Sequence, residues 1–157
     1  MMAFFDVFNG DADGLCALQQ LRLAAPVEAL LVSGVKRDIS LLKRVHAAVG
    51  DEVTVLDISL DKNREPLLAL LEQGVKVRYF DHHFAGDIPV HDSFEAHIDV
   101  AAETCTSLIV DRYLDGRFRE WAVVGAFGDN LDVSAARAAV GLNLTEEQLA
   151  TLRELGV

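Results

Sequence analysis

Basic charge, cysteine and long apolar runs are all scarce in this chain. Lys and Arg number 14 against 25 Asp and Glu, for a formal net charge of -11. A long, non-specific nucleic-acid interface needs a basic footprint, so the deficit argues against a long duplex partner. It leaves room for short nucleotides held through bound metal ions, and some of the acids would then be ligands. Two cysteines, Cys16 and Cys105, cannot build a zinc cage or a disulfide framework. They read as buried thiols in a reducing cytosol. No apolar run is long enough to span a bilayer, and the first residues lack a basic n-region and a cleavage signature. The expectation is a soluble cytoplasmic protein with no membrane partner. Repeats, low-complexity stretches and internal linkers are absent as well. What remains is 157 residues, 51% of them hydrophobic, enough for one domain with a sizeable core.

The chain reads as strands alternating with helices. Phe4 to Asn9 is short, aromatic and β-branched, and Asn9-Gly10 punctuates its end. Leu15 to Ala25 is expected as a helix stopped by Pro26, and Val27 to Val32 as a second strand. A helix carrying Ile39, Leu42, Val45 and His46, capped by Asp38 or Ser40, should follow. Val53 to Leu56 is strand three. Pro66 opens a helix to about Gln73, with Gly74 as its C-cap. Val75 to Phe80 alternates as strand four, Phe84 to Pro89 reads as a loop, and Phe94 to Val100 as another strand. Helices are expected over Thr104 to Leu114 (capped by Thr104 or Thr106), Phe118 to Phe127, and Glu146 to Leu155 behind a Thr145/Gln148 capping box. The βαβαβαβ order predicts an α/β fold, a parallel Rossmann-like sheet with helices on both faces.

Several apolar runs end in acids. Strand one runs into Asp11-Ala12-Asp13-Gly14, strand three into Asp57, and strand four into Asp81-His82-His83. Asp129 closes the apolar stretch before Asn130. Carboxyl ends of strands in open α/β sheets are where ligands bind. Paired carboxylates repel unless a cation or proton lies between them. Oxygen-rich ligation with one imidazole suits Mn²⁺ first and Mg²⁺ second, and four carboxylates suggest two ions sharing one of them. Adjacent histidines in extended backbone point to opposite sides, so one can face a metal and the other the substrate or the core. An EF-hand would fit Asn9, Asp11, Asp13 and Gly14, but its twelfth position is Gln20 and its leading flank is strand-like. His46, His91 and His97 have no such setting. Lys36 and Arg37 follow the second strand, where they could meet a phosphate or form a solvated pair before a helix.

These four motifs, in this order, resemble the DHH phosphoesterase superfamily, which includes RecJ exonucleases, nano-RNases, cyclic-di-AMP phosphodiesterases and family II inorganic pyrophosphatases. Asp11-Ala12-Asp13 matches its Asp-x-Asp in the RecJ-like form, Asp57 its second motif, Asp81-His82-His83 its namesake, and Asp129 its fourth. The resemblance implies a DHH catalytic domain over residues 1–131. Residues 132–157 would be a helical extension toward a C-terminal substrate-binding domain that the chain lacks. It implies that Asp11 and Asp57 hold one Mn²⁺, and that Asp13, Asp57, His82 and Asp129 hold the other. His83 would contact the scissile phosphate or protonate the leaving group, with Asp81 orienting the histidines. Two departures stand out: Val7 occupies a position where several members carry a ligand histidine, and Asn9 one where the RecJ-like form often has an acid. The implied function is metal-dependent hydrolysis of a phosphodiester in a short oligonucleotide or cyclic dinucleotide, weak in an isolated catalytic domain, with a homodimer allowed.

Three other readings compete. A haloacid-dehalogenase-like phosphatase would use Asp11 as nucleophile and Asp13 as acid/base. A receiver-like domain would accept phosphate on Asp57. A DHH-fold module could bind nucleotide without turning it over, since catalysis needs the substrate positioned.

Overall fold

A computed structural model describes all 157 residues. Five parallel strands form one sheet in the order β2-β1-β3-β4-β5. They are β1 (Phe4–Asn9), β2 (Ala29–Gly34), β3 (Glu52–Leu56), β4 (Lys76–Asp81) and β5 (Phe94–Ile98). The helices are α1 (Ala12–Ala24), α2 (Arg64–Glu72), α3 (Thr106–Tyr113), α4 (Arg119–Gly128), α5 (Asp132–Ala139) and α6 (Glu146–Gly156). Short 3₁₀ turns occupy Leu42–Arg44 and Asp61–Asn63.

Alternate side chains of β1, β3 and β4 feed two cores, as a period of two requires. Phe5, Val7, Val53, Val55, Val77 and Tyr79 pack under α2 and the first 3₁₀ turn. Phe8, Leu56 and Phe80 pack under Ala17 and Leu21 of α1 and Ile109 and Val110 of α3. The sheet is thus covered on both faces, as a parallel sheet must be. A third cluster joins α4 to α5 and α6 through Val123, Ala126, Phe127, Ala135, Ala139, Leu149 and Leu152. The expected capping box on α6 is present: Gln148 N donates to Thr145 Oγ1 and Thr145 N to Gln148 Oε1.

The expected helix around Ile39 to His46 is absent; only the Leu42–Arg44 turn forms. Buried Asn63 supplies the reason. Its Oδ1 accepts from Leu42 N, and its Nδ2 donates to Ile39 O and Ser59 O. These bonds satisfy backbone groups that a helix would otherwise pair. The α3 cap also differs from expectation. The capping residue is Cys105, which makes no side-chain cap hydrogen bond.

This strand order has its switch point between β1 and β3, whose onward connections leave in opposite directions. A crevice at the carboxyl ends of β1 and β3 follows from that topology. Asp11, Asp13 and Asp57 all lie there.

Candidate metal centre

The site begins with the exit from β1. Asp11 is the N-cap of α1, its Oδ1 accepting from Gly14 N at 3.0 Å. A Cβ on Gly14 would lie 2.0 Å from Asn9 O, so only glycine lets α1 start this tightly against the strand end. That tight entry turns Asp13 inward, where it is fully buried. Both its oxygens are held by the first turn of α3: Ser107 N donates to Oδ1 at 2.7 Å and Thr106 N to Oδ2 at 3.0 Å. Asp13 therefore caps a helix from 93 residues away, which explains why α3 needs no local cap.

Asp57 follows β3 with φ +64, a left-handed conformation costing a non-glycine residue about 1–2 kcal/mol. Strain of this kind gathers at functional sites. Its Oδ1 accepts from Thr106 Oγ1 at 3.0 Å. Burial, and then the carboxylates of Asp13 and Asp11, push its carboxyl up to about 10. Asp129 is the C-cap of α4, and burial followed by Asp13 raises its carboxyl as well.

His82 gathers these acids. Its Nε2 lies 3.2 Å from Asp57 Oδ1, 3.5 Å from Asp129 Oδ2 and 3.6 Å from Asp13 Oδ2. No Lys or Arg forms an ion pair with Asp13, Asp57 or Asp129; the imidazole is their sole ion-pairing partner. Three carboxylates and one imidazole offer hard oxygens with a single nitrogen, a set that fits Mn²⁺ or Mg²⁺ and lacks the thiolates of a structural zinc site. Single donor atoms of Asp13, His82 and Asp129 lie within 4.8 Å of one another, a spacing one cation can bridge. Donors of Asp57, Asp81, His82 and His83 form a second such group.

His83 takes a different partner. Its Nδ1 lies 2.6 Å from Asp81 Oδ1. That hydrogen bond raises the imidazole above its ordinary value, against the opposing effect of burial. Asp81 is completely buried, and its Oδ2 has no hydrogen-bond partner. With Nδ1 engaged, Nε2 is the ring nitrogen of His83 left for proton transfer.

Asn9, Asp11, Lys36, Asp57, His82, His83 and Asp129 line one cavity of about 280 Å³. The structure thus brings together Asp11, Asp13, Asp57, His82, His83, Asp129 and, in the cavity lining, Lys36. Asp11 has one oxygen engaged as a helix cap and belongs to neither donor group. Arg37 is exposed and does not line the cavity. The sequence suggests Thr106 and Ser107 as helix-cap residues, with a phosphate contact the weaker alternative. Nothing local signals that their amides and one hydroxyl serve Asp13 and Asp57, because the contacts span 49 to 94 residues.

A larger cavity of about 700 Å³ lies at the opposite edge of the sheet, where Phe4, Glu52, Lys76 and Phe94 begin their strands. Its lining mixes charges, and its Arg22 is already paired with Asp6 at 2.6 Å. No cluster of ligating groups forms there, which makes the smaller cavity the candidate site. Both cysteines are buried and unpaired, and burial pushes the Cys16 thiol up to about 12. The geometry also disfavours two rival readings. An acid/base must reach solvent and substrate, yet both Asp13 oxygens are held by amides. A phosphoacceptor must present a free carboxylate oxygen, whereas Asp57 is 2% exposed and its Oδ1 is held by Thr106 and faces His82.

No protein-family model matches the chain, and no curated protein does. Solved structures do. A DHH domain, described as a member of a family of ribosomal proteins, aligns over 98% of this chain and 46% of its own, with TM-score 0.66 and 15% identity. Exonuclease RecJ bound to manganese aligns over 96% of this chain and 50% of its own, with TM-score 0.54 and 17% identity. RecJ from Thermus thermophilus, in complex with Mn²⁺, aligns over 96% of this chain and 28% of its own, with TM-score 0.56 and 16% identity. The chain therefore spans half or less of the length of each. Its fold is that of a DHH domain.

Proposed function

We propose that this DHH-fold chain is a metal-dependent phosphoesterase domain acting on the phosphodiester of a short or cyclic nucleotide. The observation that carries the reading is the convergence of Asp13, Asp57 and Asp129 on His82 Nε2, with the Asp81–His83 pair beside it. Asp13, Asp57, His82 and Asp129 would hold one divalent ion, and Asp11 with Asp57 a second, Mn²⁺ being favoured over Mg²⁺ by the imidazole. Such ions, when bound, polarise the phosphoryl oxygens and stabilise the attacking and leaving oxygens. The two Mn²⁺-bound RecJ structures of the same fold support this choice of ion.

The chain's own residues do the rest. Asp81 fixes the tautomer and orientation of His83 and favours its protonated form. His83 then offers a proton from Nε2 to the leaving oxygen. Lys36, in the cavity lining, supplies a cation to a phosphate oxygen. The net charge of -11 disfavours long polyanions, and a cavity of about 280 Å³ favours a small ligand.

The test is a substrate panel in Mn²⁺: bis-p-nitrophenyl phosphate, a linear dinucleotide, a cyclic dinucleotide and pyrophosphate. Turnover of at least one diester, abolished by chelator and restored by Mn²⁺, is expected. No turnover of any of them, together with no Mn²⁺ binding, would sink the proposal. Mn²⁺ and dinucleotide binding with no turnover would leave a nucleotide-binding module instead.

A further inference from the structure

Asp13 and Asp57 leave different strands, yet they share one hydrogen-bonding residue. Thr106 donates its backbone N–H to Asp13 Oδ2 and its hydroxyl to Asp57 Oδ1, each at 3.0 Å. It is completely buried. No other residue hydrogen-bonds both side chains. Thr106 thus ties the two carboxylates together through the covalent frame of one residue, at the start of a packed helix, beside the imidazole of His82 that faces them both.

Ser107 makes the contrast. It is equally buried, but its hydroxyl donates to the backbone O of Asp13 at 2.8 Å, not to a carboxylate. Its place depends on Gly125 of α4, where a Cβ would lie 2.2 Å from Ser107 Oγ. Helix α4 thus seats the first turn of α3 firmly. Thr106 carries the one hydroxyl of that turn that reaches a proposed metal-binding carboxylate.

We propose that Thr106 is a positioning residue that fixes Asp57 against Asp13, and so sets the affinity of the site for a divalent cation. Two carboxylates that must both ionise around a cation would rotate apart if untethered. A hydroxyl donor holds Asp57 in place and uses one acceptor position of its carboxylate, leaving the others for an ion. In this role Thr106 touches neither the ion nor the substrate. The inference rests on the metal-dependent reading of the site.

Calorimetric titration of the metal-free protein with MnCl₂ tests it without any need for turnover. Thr106→Val keeps the shape and removes the hydroxyl, and Thr106→Ala does so without a branched apolar group facing a carboxylate. Each should weaken Mn²⁺ binding about 10–100-fold, the usual cost of losing a group that orients a ligand. Thr106→Ser and Ser107→Ala should both stay within about threefold of wild type, well below that cost. Circular dichroism confirms that the compared variants are folded. Unchanged affinity in both Thr106→Val and Thr106→Ala overturns the role of Thr106 alone. So does an equal loss in Ser107→Ala, which would make the effect one of general packing. A wild-type protein that binds no Mn²⁺ overturns the metal reading, and this inference with it.

Discussion

Asp57→Asn is expected to abolish Mn²⁺-dependent turnover while making the metal-free protein more stable than wild type. The two effects share a cause. Asp57 is buried against Asp13 and Asp11, and its carboxyl sits at about 10 in the folded chain. In the unfolded chain it would titrate near 4. Between those values the folded state binds a proton that the unfolded state releases. Stability is therefore lost as pH rises through this window, and at pH 7 the loss is of order 4 kcal/mol. Asparagine carries no charge there. It also tolerates the left-handed backbone at φ +64 and can still accept from Thr106 Oγ1.

The metal-free variant should melt roughly 10 °C above wild type at pH 7 for a domain of this size. The gap should shrink as the pH falls toward about 4, where wild type is protonated in both states. Adding Mn²⁺ at about 100 times its dissociation constant should stabilise wild type by about 2.7 kcal/mol and leave the variant unmoved. Turnover should drop more than about 10³-fold, since several kcal/mol of charge stabilisation go with the ions. Paired thermal melts in chelator and in Mn²⁺ check this. A variant less stable than wild type in chelator would contradict the electrostatic account of Asp57.

The second large effect concerns the pair beside the ion site. Asp81→Asn removes the charge that raises His83 and weakens its 2.6 Å hydrogen bond. Turnover should fall about 10²–10³-fold, the range for a compromised general acid. Mn²⁺ affinity should hold to within about threefold, because Asp81 makes no hydrogen bond or ion pair with the residues around His82 Nε2. Loss of the carboxylate lowers the imidazole's proton affinity. The alkaline limb of the rate profile, where His83 gives up its proton, should therefore move toward lower pH. Rate profiles of kcat for wild type and Asp81→Asn measure the shift. An unmoved limb with a reduced rate would assign Asp81 to structure alone.

The parts of this molecule that were legible in the sequence are those with a local cause. The first, third and fourth strands are legible as short apolar runs, the fourth also by its alternation, and each runs into the acids that meet in the fold. The register of the sheet aligns those ends, with Phe8 beside Leu56 and Leu56 beside Phe80, so the acids after them had to converge. The capping box on α6 was legible for the same reason: both its partners lie within one turn. Hidden were the features made by distant residues. Leu42 lost its expected helix to Asn63, 21 residues on. The cap of α3 came from Asp13. Lys36 and Arg37 are neighbours in sequence, but only Lys36 lines the cavity, and nothing in the pair itself distinguishes them. Asp57's left-handed backbone has no sequence signal either.

Asp13, Asp57, His82 and Asp129 are proposed to form a divalent metal site. Calorimetric titration of the chelator-treated protein with MnCl₂, run beside Asp57→Asn, tests it most directly. Saturable binding by wild type that is lost in the folded variant is the predicted result. A flat wild-type titration, or binding that Asp57→Asn leaves intact, would contradict it.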